Sequence, residues 1–388
     1  MFLERRYLRN LDFVLIGATV GLIGFGLVIL ASATQTELGT LTVLASWSDP
    51  SGLSYLHRQV LWAGMGLVMM VMILMFDYRA LLRWVPILYA GNLILLFMVL
   101  YMGRTAQGAQ RWIPVGPFAL QPSEFAKVIM IIVLAAVLAR QEKGAQEWRD
   151  LIIPALYLLP PMVLIALQPD LGTSLVFIGV FFGLLLIAGV PLGRYIALIG
   201  GALAAAVGAV VSKLYFGVNL PIQEYQIKRL IVFLNPYADR FGAGYHIIQS
   251  QFAIGSGQLT GKGLFAGQQS QLQYLPEQHT DFIFSVLGEQ LGFVGAASLL
   301  LLFLIFLWRG ARITAAAKEP FGALLAAGIV SYLAFHVIVN VGMTVGVMPV
   351  TGLPLPFISY GGSAMWVNCM VVGLLLNIQM RRHKILFG

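Results

Sequence analysis

Charged residues are scarce in this chain. Only 10% of its 388 residues are Asp, Glu, Lys or Arg, whereas 59% are hydrophobic, and an ordinary soluble domain carries about 25% charged residues. This shortage excludes a conventional soluble domain. The hydrophobic residues fall in runs long enough to cross a hydrocarbon core about 30 Å thick. The sequence therefore predicts a polytopic membrane protein.

Cysteine and the common cofactor motifs are also nearly absent. The only cysteine, Cys369, lies in an apolar run, so no internal disulfide can form and we expect an inert thiol. No pair of His or Cys residues has metal-site spacing. The stretch GSGQLTGKG resembles a phosphate loop, but its glycines stand too close together and Gly263 replaces the Ser or Thr of a Walker A motif. No ATP site is predicted.

The net charge of +8 does not indicate nucleic-acid binding, because the basic residues form no patch. They fall in short clusters between the apolar runs, as in membrane proteins whose Lys and Arg set the orientation. The larger share of the 24 Lys and Arg residues lies on the side of the N-terminus. This bias predicts that both termini are cytoplasmic.

Ten apolar segments predict an all-α membrane protein with ten transmembrane helices in a single domain, 1–388. The outer side then carries the large loop at about 217–280, between helices 7 and 8, and several shorter connections. Inner connections are short. Because loops carry function while helices position them, we expect the chemistry on the outer face. The segments lie near 11–33, 58–76, 82–102, 122–140, 150–168, 171–190, 193–216, 281–308, 321–347 and 357–380.

Polar groups in or beside apolar segments are costly and indicate candidate sites. In QPSEFAKVIM, Glu124 and Lys127 are three residues apart, which places them on one face of a helix. They form either a salt bridge that neutralises a snorkelling lysine or a lysine fixed by the glutamate to meet an anion. A Ser-x-x-Lys acylation motif is excluded, because Ser123 and Lys127 are four residues apart.

Asp170, in LQPDLGTS, stands between two apolar runs with almost no loop around it. It either begins the next helix, where a carboxylate suits the positive end of the helix dipole, or offers a carboxylate at the outer membrane edge. In the second interpretation its partner is a cation or Lys127. The sequence leaves both interpretations open.

The stretch YLPEQHTDFIF places Glu277, His279 and Asp281 directly before the eighth apolar segment. Thr280 or Asp281 would cap the eighth helix in the simplest interpretation. Alternatively, a partly desolvated carboxylate at the membrane edge has the raised pKa that suits a general base. Glu289 follows on nearly the same helical face. His279 alone is more typical of a hydrogen-bonding loop residue.

The stretch LPLPFISYGGSAMW precedes the last helix and combines prolines with paired glycines. Irregular backbone of this kind is tolerated at membrane depth only where it lines protein or a cavity. The hydroxyls of Ser359, Tyr360 and Ser363 would then face a polar ligand, unless the stretch is an ordinary re-entrant turn.

Basic residues and carboxylates converge on the predicted outer side. The basic residues are Arg111, Lys127, Lys228 and Arg229. This pairing suits a lipid-borne phosphate or pyrophosphate, and without an ATP site the substrate must already be activated. Transfer of a sugar from a lipid pyrophosphate fits, because cations steady the leaving group while one carboxylate deprotonates the acceptor hydroxyl.

Several stretches resemble, in the same order, motifs of the SEDS family of bacterial cell-wall proteins. The resemblance covers most of the chain, and two of the stretches look more like those of RodA, the elongation branch, than those of FtsW, the division branch. The stretches are AQRWIPVGPFALQPSEFAK, QPDLGTSLV, GYHIIQSQFAIGSGQLTGKGL, QYLPEQHTDFIFSVLGEQLGFVG and GLPLPFISYGGSA.

The resemblance implies a peptidoglycan glycosyltransferase that polymerises lipid II into glycan strands at the outer face of the bacterial cytoplasmic membrane during cell elongation. It implies that Asp281 is catalytic, and the family's other motif carboxylates and lysine match Glu124, Lys127 and Asp170. We expect supporting or substrate-binding roles for Arg111, Lys228, Arg229, His279 and Ser363. Implied partners are lipid II, the growing glycan, a class B penicillin-binding protein as transpeptidase, other membrane proteins of the elongation complex and membrane lipid.

No sequence feature demands a cofactor. A divalent cation, Mg²⁺ or Mn²⁺, would fit between Asp281 or Asp170 and the pyrophosphate. Two other functions compete with the polymerase. One is a transporter that flips lipid II and uses Glu124, Lys127 and Asp170 as a midplane relay. The other is a scaffold of the cell-wall complex that performs no chemistry.

Overall fold

The structure, a computed structural model, describes residues 10–34, 55–106, 109–115, 118–141, 144–218, 223–272 and 274–381. Long apolar helices occupy the positions of the ten predicted segments. In chain order the helices are α1 (Phe13–Thr34), α2 (Tyr55–Met75), α3 (Leu81–Met102), α4 (Pro122–Ala139), α5 (Trp148–Leu167), α6 (Leu171–Ile187), α7 (Leu192–Phe216), α8 (Glu224–Leu234), α9 (Ala243–Ser256), α10 (Gln268–Gln271), α11 (Ile283–Ala316), α12 (Pro320–Val345) and α13 (Gly362–Met380).

Nine helices in the described part of the chain are long and apolar enough to cross a membrane. The sixth predicted segment corresponds to α6, whose 17 residues fall just short of the roughly 20 that a span needs. The protein is thus an all-α, multi-pass membrane protein, as predicted, while the count of ten spans stays a prediction. Most residues of α4 and α13 are buried at the centre, whereas α7 buries none of its described side chains.

Two connections hold structure that the apolar pattern did not predict. A small antiparallel sheet follows α3 and consists of β1 (Arg104–Ala106), β2 (Ala109–Val115) and β3 (Phe118–Leu120). The long loop contains the short helices α8, α9 and α10. Strands of three to seven residues are too short to show a clear alternation of apolar and polar residues.

Hydrogen bonds tie elements together at two ends of the bundle. At one end, the end of α1 meets the long loop, where the Phe265 amide donates to Ser32 Oγ at 2.7 Å and Gln278 Nε2 donates to the Ala33 carbonyl at 2.9 Å. At the other end, Arg309 holds the buried Asp12 through Nε and Nη2, at 2.8 and 2.5 Å from Oδ2. The first outer connection lies mostly outside the described residues.

Candidate active site

The loop that carries Asp281 is clamped through its backbone. The three successive carbonyls of residues 279–281 accept hydrogen bonds from Tyr360 N (2.9 Å), Ser359 Oγ (2.6 Å) and Asn340 Nδ2 (2.9 Å), respectively. The donors come from α12 and from the irregular stretch before α13. Two elements distant in sequence therefore fix the position of the Asp281 backbone.

The predicted helix cap is wrong. Helix α11 begins at Ile283, and Phe282 takes the cap position without a side-chain hydrogen bond. The Thr280 hydroxyl instead donates back to Glu277 Oε2 at 3.1 Å. The Asp281 carboxylate therefore does not cap the N-terminus of α11.

The Asp281 carboxylate is partly buried, and no described residue forms a hydrogen bond or an ion pair with it. Burial and then the negative charge of Glu277 raise the pKa of Asp281 to about 6, while Arg229 and Arg111 oppose the rise and Asp170 adds to it. These groups, which the sequence scatters over 170 positions, act on one carboxylate. A side chain with this pKa and free oxygens can accept a proton near neutral pH.

Arg111 reaches the end of α5 from strand β2. Its Nε donates to the Gln168 carbonyl at 3.4 Å and its Nη2 to the Pro169 carbonyl, and Nη1 lies 3.7 Å from Asp170 Oδ1. Gln168 in turn donates to the Leu96 carbonyl at 2.9 Å. The sheet and the ends of α3 and α5 therefore hold this guanidinium in place.

Asp170 satisfies both predicted interpretations. It is the N-cap of α6, where Oδ1 accepts from Thr173 N at 3.1 Å and Oδ2 from Thr173 Oγ1 at 2.9 Å. It also faces a cation, although that cation is Arg111 rather than Lys127. The buried carboxylate thus anchors the arginine at the edge of the site.

Helix α8 brings Arg229 to the same region, and Lys228 is the preceding residue of that helix. The Arg229 guanidinium lies 5.4 Å from the ring centroid of Tyr225, whose hydroxyl donates to the Pro169 carbonyl at 2.8 Å. Burial lowers the pKa of Arg229 below that of a free arginine, so the side chain is partly desolvated. Lys228 is exposed. We refer to Arg111, Lys228 and Arg229 as the cation group.

Lys127 is placed differently from the prediction of a lysine that meets an anion. Its ammonium is buried inside the bundle, 2.6 Å from Glu124 Oε1 and 3.3 Å from His336 Nε2. His336 Nδ1 lies 3.1 Å from the Pro354 carbonyl. That carbonyl can only accept, so Nδ1 carries the proton and Nε2 accepts from Lys127. The salt-bridge interpretation is confirmed. Through His336, the Glu124–Lys127 pair also supports residues 353–360.

The Ser359 and Ser363 hydroxyls are both engaged inside the protein. Ser359 Oγ accepts from Leu355 N at 2.8 Å in addition to its bond to the Asp281 loop, and Ser363 Oγ accepts from Gln121 N at 3.1 Å. Both hydroxyls thus have partners inside the protein, and contact with a ligand stays a prediction. Ser363 supports the start of α4 instead. His279 lies partly buried against the Tyr55 ring, and burial lowers its pKa.

Glu289, which shares a predicted helical face with Asp281, has a structural role. It is fully buried, and its Oε1 accepts from Lys262 Nζ at 3.0 Å and Gln269 N at 2.9 Å, while Oε2 accepts from Ser270 N at 3.1 Å. It thereby caps α10. The glycines of GSGQLTGKG bring this loop against α11, since a Cβ on Gly261 would lie 2.1 Å from the Gln290 carbonyl oxygen.

Sequence reasoning missed two residues beside the Asp281 loop. Asn340, fully buried in α12, holds both Asp281 and the Leu353 carbonyl (2.7 Å), and an amide inside an apolar segment is the signal that could have revealed it. His246 stacks on Phe282 with ring centroids 5.9 Å apart. Nothing local in the sequence marked it.

The candidate cation site between Asp281 and Asp170 has few ligands. No group of three or more His, Cys, Asp or Glu side chains in the described ranges is arranged to hold a metal ion. The Arg111 guanidinium is the cation beside Asp170. No catalytic step is therefore derived through a metal.

The fold and the site define a multi-pass membrane protein that presents a carboxylate and a cation group at one end of its helical bundle. Residues 13–384 match the model of the FtsW/RodA/SpoVE family, described as cell cycle protein. The chain therefore belongs to this family, the SEDS family.

Individual relatives agree with this membership. The chain is 40% identical to peptidoglycan glycosyltransferase MrdB of Escherichia coli K12, over 89% of this chain and 91% of that protein. It is 38% identical to stage V sporulation protein E of Bacillus subtilis, over 95% and 96%. Among solved structures, it is similar to a chain of a peptidoglycan synthase complex that coordinates polymerization and crosslinking, with a TM-score of 0.78, 31% identity and 96% and 99% coverage.

Proposed function

We propose that Asp281 is the general base of a lipid II polymerase and that the cation group binds the departing pyrophosphate. As a SEDS protein whose relatives are named peptidoglycan glycosyltransferases over about nine-tenths of its length, the chain is a peptidoglycan glycosyltransferase. The observation that carries the residue assignment is the Asp281 carboxylate, which has no hydrogen-bond partner among the described residues and is electrostatically coupled to Arg111 and Arg229.

The proposed step moves one proton and one electron pair. The acceptor hydroxyl oxygen attacks the anomeric carbon of the donor sugar and gives its proton to Asp281. The bond between that carbon and the pyrophosphate oxygen breaks, and the electron pair leaves with the lipid pyrophosphate. Arg111, Arg229 and Lys228 stabilise the charge that develops on this leaving group. Asp281 then returns its proton to solvent.

The buried Glu124–Lys127 pair acts as support in this proposal. Its side chains have almost no exposed surface, so they do not meet a lipid head group directly. His336 links Lys127 to the Pro354 carbonyl, and the neighbouring Leu353 carbonyl shares Asn340 with the Asp281 loop. The pair thus stabilises the stretch that positions the base.

A class B penicillin-binding protein is the proposed partner in the bacterial cytoplasmic membrane, with the active site on the outer face. The similar solved structure is itself part of a synthase complex that also crosslinks. We propose a role in cell elongation, which the likeness to MrdB supports. A sporulation protein is about equally similar. The elongation role is therefore tested by expressing the protein in an elongation-deficient strain and measuring whether rod shape is restored.

The transporter alternative has less support. It requires a relay through Glu124, Lys127 and Asp170, but Asp170 pairs with Arg111 and Thr173 while Lys127 pairs with Glu124 and His336. The relay is therefore split into two separate groups.

A lipid II polymerisation gel tests the proposal. The purified protein, with its penicillin-binding partner, should form glycan strands, and Asp281→Ala should form none while keeping its unfolding temperature. Undiminished strands from Asp281→Ala would refute the assignment of the base. Lipid translocation without new glycosidic bonds would favour the transporter, and a complex that forms without either activity would favour the scaffold.

A further inference from the structure

A cluster of aromatic rings contacts the Asp281 loop at His279. The Tyr55 ring lies 4.7 Å from the His279 ring and 4.9 Å from the Tyr360 ring, and the Trp62 ring lies 5.0 Å from Tyr360, all between centroids. Arg58 interacts with the Tyr360 hydroxyl. We call Tyr55, Arg58, Trp62 and Tyr360 the aromatic platform.

The platform is rigidly tied to the catalytic loop. Tyr360 N donates to the His279 carbonyl at 2.9 Å. The buried Gln59 side chain of α2 bonds both sides of Tyr360, since its Nε2 donates to the Ser359 carbonyl and its Oε1 accepts from Gly361 N, each at 3.1 Å. Helix α2 and the catalytic loop therefore hold the rings in a fixed arrangement.

The platform is open on one side. Tyr55 is 46% exposed although it contacts two other rings, and Arg58 is exposed as well. Aromatic side chains at a membrane edge often belong to an interfacial belt. Belt residues face lipid singly, whereas the Tyr55 and Tyr360 rings contact His279, two residues from the base, in tilted and edge-on arrangements.

The platform and the cation group are electrostatically separate. The charges that act on Asp281 come from Glu277, Arg229, Arg111 and Asp170, and none of them belongs to the platform. The groups that act on Tyr360 are Arg58 and Tyr55. The charges that act on Asp281 and those that act on Tyr360 thus come from different residues, and the loop interacts with one cationic group and one aromatic group with a single arginine.

On the basis of the proposed function, we infer that the aromatic platform binds the acceptor sugar. Joining two sugars requires two adjacent sugar sites, and the cation group already suits the pyrophosphate of the donor. Aromatic faces pack against the C–H faces of a pyranose ring, and a few polar groups fix its orientation. Arg58 would bind an anionic group of the acceptor, such as a peptide carboxylate. A sugar held there directs its hydroxyl toward Asp281.

Binding measurements in an Asp281→Asn background, which prevents turnover, test this inference. The probes are a GlcNAc–MurNAc-pentapeptide without diphosphate or lipid, and inorganic pyrophosphate, each titrated calorimetrically into detergent-solubilised protein. Tyr55→Ala should weaken the disaccharide-peptide by about tenfold and leave pyrophosphate unchanged. Arg229→Ala should have the opposite pattern, and Tyr55→Phe should bind like the parent.

Tyr101→Ala is the matched control, because Tyr101 is an exposed aromatic near the end of α3 that contacts Phe97 rather than the catalytic loop. It should change neither affinity. Unchanged disaccharide-peptide binding in Tyr55→Ala, or equal weakening of both probes, would overturn the platform. A wild-type protein that binds both probes but forms no glycan would overturn the proposed function and leave the platform standing.

Discussion

Two carboxylates eight residues apart, Asp281 and Glu289, have opposite surroundings. Glu289 is fully buried and accepts hydrogen bonds from Lys262, Gln269 and Ser270. The Asp281 carboxylate accepts none from the described residues, although its backbone is held firmly. The protein thus supplies hydrogen bonds to the carboxylate of Glu289 but only to the backbone of Asp281.

This difference separates a structural acid from a chemical one. A carboxylate whose lone pairs are already used contributes to stability, and its removal leaves buried donors without partners. A carboxylate with free oxygens and a raised pKa contributes little to stability but can accept a proton from a substrate. Sequence position alone did not distinguish the two.

The largest effects are therefore expected in different quantities: loss of polymerisation at Asp281 and loss of stability at Glu289. Asp281→Asn should reduce lipid II polymerisation by about 10²- to 10⁴-fold, because an amide cannot accept the proton, and it should unfold at the same temperature or higher. Glu289→Ala should lower the free energy of unfolding by about 3 kcal/mol, because Lys262 and the α10 amides lose their acceptor. Polymerisation gels and thermal unfolding in detergent measure the two quantities.

The distinction between these acids fails if Asp281→Asn loses stability or if Glu289→Ala loses polymerisation without losing stability. Loss of stability in Asp281→Asn would make Asp281 a structural acid. A stable but inactive Glu289→Ala would place Glu289 in the chemistry instead.

A loss of stability similar to that of Glu289→Ala is expected at the buried Glu124–Lys127 pair. Lys127→Met should lower the free energy of unfolding by about 3 kcal/mol, because Glu124 is left buried without its cation. The double variant Lys127→Met/Glu124→Gln should recover most of this loss. Recovery of both stability and polymerisation would agree with a structural role for the Glu124–Lys127 pair. Recovery of stability with polymerisation still abolished would return Lys127 to the substrate-binding groups, so both quantities are measured on both variants.

Much of this architecture could be predicted from the sequence, because apolar runs and basic clusters report the local environment of each helix. The motif likeness also pointed to Asp281 and Asp170, and the grouping of basic residues pointed to Arg111; the structure brings these three together. Local patterns do not report tertiary packing. Lys127 looks like an anion ligand in the sequence, and only the neighbouring His336 on α12 shows that it is enclosed.

The same limit explains the other differences. The hydroxyls of Ser359 and Ser363 could not be assigned, since their partners lie 79 and 242 positions away. Asn340 was overlooked because its partner, the Asp281 carbonyl, is 59 positions away. The role of a residue that depends on such long-range hydrogen bonds can be assigned only when the fold is known.

The smallest effect is a shift in pH dependence that isolates Asp281 from its neighbours. With a pKa of about 6, the base is ionised above that pH, so kcat/KM for lipid II should rise about tenfold per pH unit below pH 6 and level off above pH 7. Glu277→Gln removes a negative charge that raises this pKa. Its inflection should therefore move to lower pH, by less than about one unit.

Stability should respond with the matching sign. Because the folded pKa of Asp281 lies above its usual 3.8, the protonated acid favours folding at low pH, and this contribution is lost as the pH rises through 6. Asp281→Asn should therefore gain unfolding temperature relative to the wild type as the pH rises from about 4 to 6, and the gain should stay constant above that pH. The exposed Glu224, at the start of α8, is the matched control, and Glu224→Gln should leave the inflection unchanged. An inflection that stays in place in Glu277→Gln, or moves equally in Glu224→Gln, would show that the acid limb reports a group other than Asp281.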